Sequence, residues 1–450
     1  MAMTWSQLLS PQRFRAKNGE IIPTVTPSTQ EGIDALRTDF HIDYDRVVFS
    51  GAFRRLGRKT QVHPLAEHDL THNRLTHSVE VASVGRSLGN RVGVMLQAGG
   101  FLPENNTPGD IGAVVQVACL AHDLGNPPFG HTGEDALRHW FRKETNLRFL
   151  TSLNEAELSD VQTYEGNAHS LRIVANLEMY PDAGGMRLSA ASIGALIKYP
   201  WTSQGPRGRS KFNIYQTELP FIRRVAAELG LLEAGCDQWV RHPLSYLMEA
   251  SDDICYALLD LEDAVELELL TDTEVESVLS ELTFEESTWH AQSSRQRCAM
   301  LRGIAIGKAI EDAAQTFMKH QSDLLSGEFK GKDLISLCSP QVQNTLEKAK
   351  ELARTRIFRH RTKLMTEIAT FPCLGSILDL FVPAAHALLV ERKLDVRQSL
   401  ILDLLKNHNP ILETDSLYQA YMKILDFVGG MTDNAAAKMA QDLSGTGILR

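Results

Sequence analysis

The sequence predicts an all-α protein, with a multi-helix core, additional C-terminal helices and one short loop or hairpin insertion. Apolar residues recur at three- and four-residue intervals through most of the chain. The strict alternation of a half-buried strand is scarce, and no internal repeat or low-complexity tract interrupts the helical pattern. With 450 residues, 43% of them hydrophobic and 23% charged, the chain can bury a sizeable core. That composition excludes disordered, collagen-like and low-complexity classes.

Residues 1–45 read as a polar arm over the core, because Pro11, Pro23 and Pro27 break periodicity before an amphipathic stretch starts at Gly32–Phe40. From Asp45 to Thr60, Val48, Ala52 and Leu56 fall on one helical face. Arg46, Arg54, Arg55, Arg58 and Lys59 cover the rest, ordinarily the sign of a solvated surface. Leu75–Val94 and Asp110–Leu124 read as helices, the second closing at Gly125 before Asn126–Pro127–Pro128. Thr132, Glu134 and Asp135 place a cap and acids ahead of another. Residues 141–165 read as a surface connection to a helix from about Ala168. The Pro-, Gly-, Arg- and aromatic-rich segment Lys198–Glu218 reads as a long loop or small hairpin, a type of segment that often carries function. Pro243–Glu266 is strongly amphipathic. Helical periodicity continues over Val278–Leu325 and Pro340–Asp426, broken at Ser326–Gly327 and Gly429–Gly430.

A net charge of -10 argues against a general nucleic-acid coat protein, so any anion site must be local. The six cysteines (Cys119, Cys236, Cys255, Cys298, Cys338, Cys373) form no CxxC pair, which disfavours disulfides and thiolate zinc and fits a reducing cytoplasm. Met1–Gln12 lacks a basic start followed by an apolar run, and no uninterrupted apolar stretch reaches about 18 residues. Gly112–Ala121, the best candidate, reads as a buried helix. The expectation is a cytoplasmic protein with no export signal and no membrane partner.

His122–Asp123 ends the apolar helix VVQVACLAHDLG, so both side chains project into a sheltered space. An unpaired aspartate is costly to bury there, and a bound divalent metal relieves that cost; the ordinary alternative is a hydrogen-bonded structural pair. His77 lies on a helix beside Leu75, Val79 and Val81, while Leu244, Met248, Asp252, Tyr256 and Asp260 run at four-residue spacing along another. Carboxylates do not normally occupy an apolar row. His77, His122, Asp123 and Asp252 thus compose a mixed nitrogen and oxygen site for a metal such as Mn²⁺, Mg²⁺, Co²⁺, Fe²⁺ or Ni²⁺. Without thiolates it is unlike structural zinc.

The order H…HD…D resembles the HD-domain phosphohydrolase superfamily. The strings RVVFSGAFRRLGRKTQV, HNRLTHSVEVASVGRSLG, ACLAHDLGNPPFGHTGEDAL, YEGNAHSLRIV and YLMEASDDICYALLDLEDA are similar to its dGTPase (deoxyguanosinetriphosphate triphosphohydrolase) branch from Asp34 to Asp263. The resemblance implies an HD-domain catalytic core over 46–270, and a helical region over 271–450 packed on it and in oligomer contacts. It implies metal-dependent hydrolysis of dGTP or several dNTPs to deoxynucleoside and inorganic triphosphate, by attack of metal-activated water at the α-phosphate.

Carried over by residue, His77, His122, Asp123 and Asp252 hold the metal, Asp253 stands behind them, and His131 and Glu134 act as a catalytic pair. His131 lies in a Gly-flanked turn where it can approach a phosphate, and Glu134, one turn on, is expected to fix its tautomer and raise its basicity. Tyr256 and Asp260 match sugar contacts, the aspartate accepting from the 3′-OH and the tyrosine ring excluding a 2′-hydroxyl. Arg74, Lys198, Tyr199 and Lys211 match phosphate contacts, Asn167 joins them, and Gln61 matches a position near sugar and base. Arg207 and Arg209 compete with a solvated-loop reading. The run Arg354, Arg356, Arg359, His360, Arg361, Lys363 either reaches a neighbouring subunit's nucleotide or forms a charged helix face. His63, His68 and His72 read as loop residues. Assembly as a homo-oligomer, a hexamer by resemblance, and a nucleotide or single-stranded DNA effector follow from the same likeness. The competing readings are another HD chemistry, a 5′-nucleotidase or phosphodiesterase, and a dNTP-sensing regulatory protein.

Overall fold

The computed structural model describes residues 2–17, 19–24, 37–61, 72–206, 210–283, 293–356 and 361–449. The described chain is all-α apart from two antiparallel hairpins, Arg13–Lys17 with Glu20–Thr24 and Glu233–Gly235 with Gln238–Trp239.

Three helices form the centre. Arg74–Ala98 begins where Asn73 accepts from the Leu75 and Thr76 amides, both at 3.0 Å, and Thr76 Oγ1 accepts from the Asn73 amide at 3.0 Å. Its glycines at four-residue spacing face Pro108–Ala121. A Cβ at Gly93 would lie 2.7 Å from Pro108 Cα, one at Gly89 2.9 Å from Gly112 Cα, and one at Gly85 2.5 Å from Cys119 Sγ. The two helices therefore run antiparallel in close contact, a spacing only glycine permits. This brings the first turn of one beside the end of the other. Pro243–Glu266 crosses the pair, with Ser251 next to Gly85.

Two apolar bodies result. The first holds the inner faces of these three helices together with Ser294–Lys319 and Pro340–Arg356. The second gathers Leu137, Trp140 and Phe141 of the Gly130–Arg142 helix with Leu374, Phe381 and Leu425 of Arg361–His386 and Leu417–Gly429. The N-terminal hairpin is tied down by buried Asp43, which pairs with Arg13 and accepts from the Ser189 amide at 2.9 Å and Ser192 Oγ at 2.8 Å. Such a fully buried acid is tolerable only with these donors.

The structure departs from the sequence expectation in two places. Residues 141–165 hold a 3₁₀ turn, Glu144–Phe149, and a helix, Glu155–Gln162, whose Asn154/Glu157 capping box is a signal the sequence contained. Of the two readings of Lys198–Glu218, the described residues show the long loop, with isolated bridges from Trp201 to Gln238 and from Thr202 to Ile214. The choice of Gly112–Ala121 as the most membrane-like segment is corrected by the helix Lys363–Glu391. This helix contains no uninterrupted run of about 18 apolar residues but is long and apolar enough to cross a membrane by length and composition, with half its most apolar stretch buried inside the protein. Scattered polar residues hide it from a search for uninterrupted runs.

Candidate active site

His77 stands on the first turn of Arg74–Ala98, His122 caps the C-terminus of Pro108–Ala121, and Asp252 lies in Pro243–Glu266. One ligand atom from each falls within 4.8 Å of the others. The His122 Nδ1–H donates to the Cys119 carbonyl at 2.6 Å, which turns Nε2 toward Asp252 Oδ1 at 3.6 Å. His77 Nε2 lies 3.1 Å from the same oxygen. Burial lowers the His122 pKa, but the Asp123 and Asp252 carboxylates outweigh it and raise the imidazole to about 9. Burial likewise opposes ionisation of Asp252, yet His122 and His77 hold it well below the usual carboxylate range. Two imidazole nitrogens and a carboxylate oxygen, converging without thiolates, fit a divalent metal ion.

Asp123, expected as a fourth ligand, lies beside this trio and outside the group of converging atoms. Its Oδ2 accepts from Arg74 Nη1 at 2.8 Å, Asn126 donates to Oδ1, and Oδ1 is 3.6 Å from His122 Nε2. Despite burial, Arg74 and the two histidines keep it ionised. Asp253 points elsewhere, accepting from Lys350 Nζ at 2.7 Å.

His131 is the second residue of Gly130–Arg142, a helix entered through Phe129 in the left-handed region (φ 64°, ψ 16°). It is open to the cavity but crowded by protein, and burial with the Arg74 and Lys211 charges lowers its pKa. The expected link to Glu134 is absent among the described hydrogen bonds, and the basicity of His131 falls rather than rises. Glu134 instead accepts from the Gly166 amide at 2.7 Å and Arg138 Nη2 at 3.2 Å. A buried carboxylate takes the strongest donors in reach, and a Cβ at residue 166 would lie 2.8 Å from Glu134 Oε1, so that contact needs glycine.

The three metal-facing residues, Asp123, His131 and Glu134 line one cavity of about 460 Å³. Gln61, Arg74, Asn167, Lys198, Tyr199, Lys211 and Tyr256 complete most of its wall. The lysines are charge-balanced: Lys198 Nζ lies 2.9 Å from Glu249, and Lys211 Nζ 3.3 Å from Glu165. Asp260 is not in the wall. It is buried beyond Tyr256, and burial with the neighbouring Asp263 charge pushes its carboxyl up to about 8. His72 is bonded to Asp263 through Nδ1 at 2.6 Å and to Glu80 through Nε2 at 3.1 Å, and these acids raise it to about 10. It lies in a loop, as expected, paired with two acids.

Sequence reasoning missed Glu165 and Glu367, and read Lys363 only as part of a basic run on a helix face or reaching a neighbouring subunit. Glu165 is fully buried between Lys211 and Arg138 and accepts from Asn167 Nδ2 at 2.6 Å; its position as a helix cap in YEGN was the available signal. Lys363 and Glu367 reach the cavity from Arg361–His386, 4.0 Å apart. The basic run thus divides: Arg354 pairs with Glu351 and Arg356 with Glu274 at 3.4 Å on the surface, while Lys363 turns inward. Arg207, Arg209, His63, His68, Arg359 and His360 lie outside the described residues.

Residues 74–162 match the HD domain family. A deoxyguanosinetriphosphate triphosphohydrolase-like protein of Pseudomonas aeruginosa is 44% identical over 419 residues, covering 91% of this chain and 94% of its own. The chain belongs to the dGTPase-like family of HD-domain phosphohydrolases. A likewise-named protein of Synechocystis sp. is 34% identical over 98% of this chain and 99% of its own. The deoxyguanosinetriphosphate triphosphohydrolase of Klebsiella pneumoniae is 30% identical over 90% and 94%. As a member of this dGTPase-like family the protein is a hydrolase, and its His77/His122/Asp252 cluster is able to coordinate a divalent cofactor.

Proposed function

We propose that the protein hydrolyses deoxynucleoside triphosphates, dGTP or several dNTPs, to deoxynucleoside and inorganic triphosphate. The supporting observation is the convergence in one cavity of a metal-binding trio, the cations Arg74, Lys198 and Lys211, the histidine His131 and the ring of Tyr256. A divalent metal held by His77, His122 and Asp252 would polarise a phosphoryl oxygen and lower the pKa of water. Arg74, Lys198 and Lys211 bind and orient the triphosphate, exchanging carboxylate partners for phosphate oxygens. His131, neutral at pH 7 because its pKa is depressed, takes the proton of the attacking water. The water oxygen joins the α-phosphorus, the Pα–O5′ bond breaks, and O5′ leaves with a proton as the deoxynucleoside hydroxyl. Tyr256, one turn beyond Asp252, presses on the sugar and excludes a 2′-hydroxyl.

Phosphorus NMR of products from the metal-loaded protein with each dNTP and with GTP is the test. Inorganic triphosphate from dNTPs but not GTP is expected. Monophosphate or pyrophosphate would assign another HD chemistry, and binding without product a sensor. Turnover only with mixed nucleotides or added single-stranded DNA would assign an effector, which together with a cytoplasmic setting belongs to the same proposal on family likeness.

Homo-oligomerisation, also part of this reading, is supported by exposed apolar side chains near the cavity-lining helix. Met365 and Ile368 are 61% and 67% exposed, and Val396 and Leu400 80% and 62%. Patches of this kind mark association surfaces. Light scattering should give a mass that is a multiple of 50.0 kDa and that falls when Ile368 and Leu400 become glutamate; a wild-type monomer would refute it.

A further inference from the structure

Two buried side chains outside the catalytic set join the loop that carries His131 to the far C-terminus. Asp433, 2% exposed, opens the helix Asp433–Leu443. Its Oδ1 accepts from the Phe129 amide at 2.9 Å, and its Oδ2 from the Thr60 amide at 2.9 Å and Thr60 Oγ1 at 2.8 Å. Lys59, equally buried, donates to the Asn126 carbonyl and to the Gly429 carbonyl at 2.7 Å. These ties meet three segments at once: 59–61 ending in Gln61, 126–131 ending in His131, and 429–433. The first also receives the Arg74 amide on the Lys59 carbonyl at 3.0 Å.

Phe129 is the residue that needs holding. It sits at positive φ, a conformation a large L side chain adopts only when its surroundings impose it. Gly130 follows at φ 59°, where a Cβ would lie 2.6 Å from Arg74 Nη2. Two successive left-handed residues turn the chain so that His131 faces the cavity, and the amide at the start of that turn is the one Asp433 holds.

We infer that Asp433, with Lys59, is a positioning residue that fixes His131 and Gln61 in the active site from the opposite end of the chain. The carboxylate is specific to the task because each oxygen serves a different segment. An asparagine of the same shape keeps one acceptor and turns an NH₂ group on a donor. The inference rests on the proposed role of His131, so its test has one arm that needs no substrate.

Asp433→Asn should speed amide hydrogen exchange across residues 126–132 by tenfold or more while metal content stays at the wild-type level. The kcat for triphosphate release should fall by about tenfold or more, since displacing a catalytic group by an ångström costs up to about 10²-fold. In a His131→Ala background the same change should cost less than twofold, because the group it positions is gone. Unchanged exchange, or a kcat within twofold of wild type, would overturn the inference. So would an equal fold loss in both backgrounds, which would mean that Asp433 supports the fold alone. If Asp433→Asn fails to fold, Thr60→Val removes one donor, with a threefold loss of kcat expected that vanishes in His131→Ala. Full activity in His131→Ala would retire the proton carrier instead, and the exchange arm would still read the clamp.

Discussion

Asp252→Ala is expected to purify without stoichiometric metal and with hydrolysis reduced by at least about 10³-fold, because metal polarisation supplies several kcal/mol to phosphoryl chemistry and each 1.36 kcal/mol is tenfold in rate. Asp252 Oδ1 is the atom both histidine nitrogens face, at 3.1 and 3.6 Å. Its loss removes the negative ligand and leaves two imidazoles that cannot hold a labile divalent ion alone. Elemental analysis and circular dichroism on the same preparation decide the matter. A folded variant with full metal would remove Asp252 from the ligand set.

His131→Ala should retain metal and lose about 10²- to 10⁴-fold in kcat/KM, the usual worth of a positioned acid or base. The pH profile separates this from a packing effect. The neutral ring is the active form, fully present above its pKa and lost as pH falls through it. Because burial and the Arg74 and Lys211 charges lower that pKa, the acid limb of wild-type kcat/KM should lie below the ordinary histidine value of about 6.5. In the variant the limb should disappear. A wild-type limb above that value, or activity within a few-fold of wild type after substitution, would end the assignment.

The metal trio was legible because each ligand is set by its own neighbours: His77 by a helix start, His122 by a helix end and Asp252 by its place in an apolar row. The cavity-lining cations Arg74, Lys198 and Lys211 were legible only through the family strings. What escaped was created by convergence. Glu134 looked like a partner for His131 at helical spacing, but the Gly166 amide and Arg138, distant or unremarkable in sequence, attract it more strongly. Asp260 shares a helical row with Tyr256 but is carried behind the wall. Lys363 and Glu367 sit in a stretch whose charge reads as surface, and Asp433 looks like any first-turn acid until Phe129 and Thr60 arrive beside it. The fold class was plain from periodicity, whereas the two short hairpins leave no pattern long enough to register.

The metal-facing helices draw their packing from one apolar body, while the His131 helix and the one bearing Lys363 and Glu367 draw theirs from the other. Changes at well-separated positions combine almost additively. Drift in the second body can therefore remould the far wall of the cavity while the ligand geometry of the first stays fixed. Descendants of one ancestral chain can in this way change what the far wall accepts and inherit the metal-binding geometry intact.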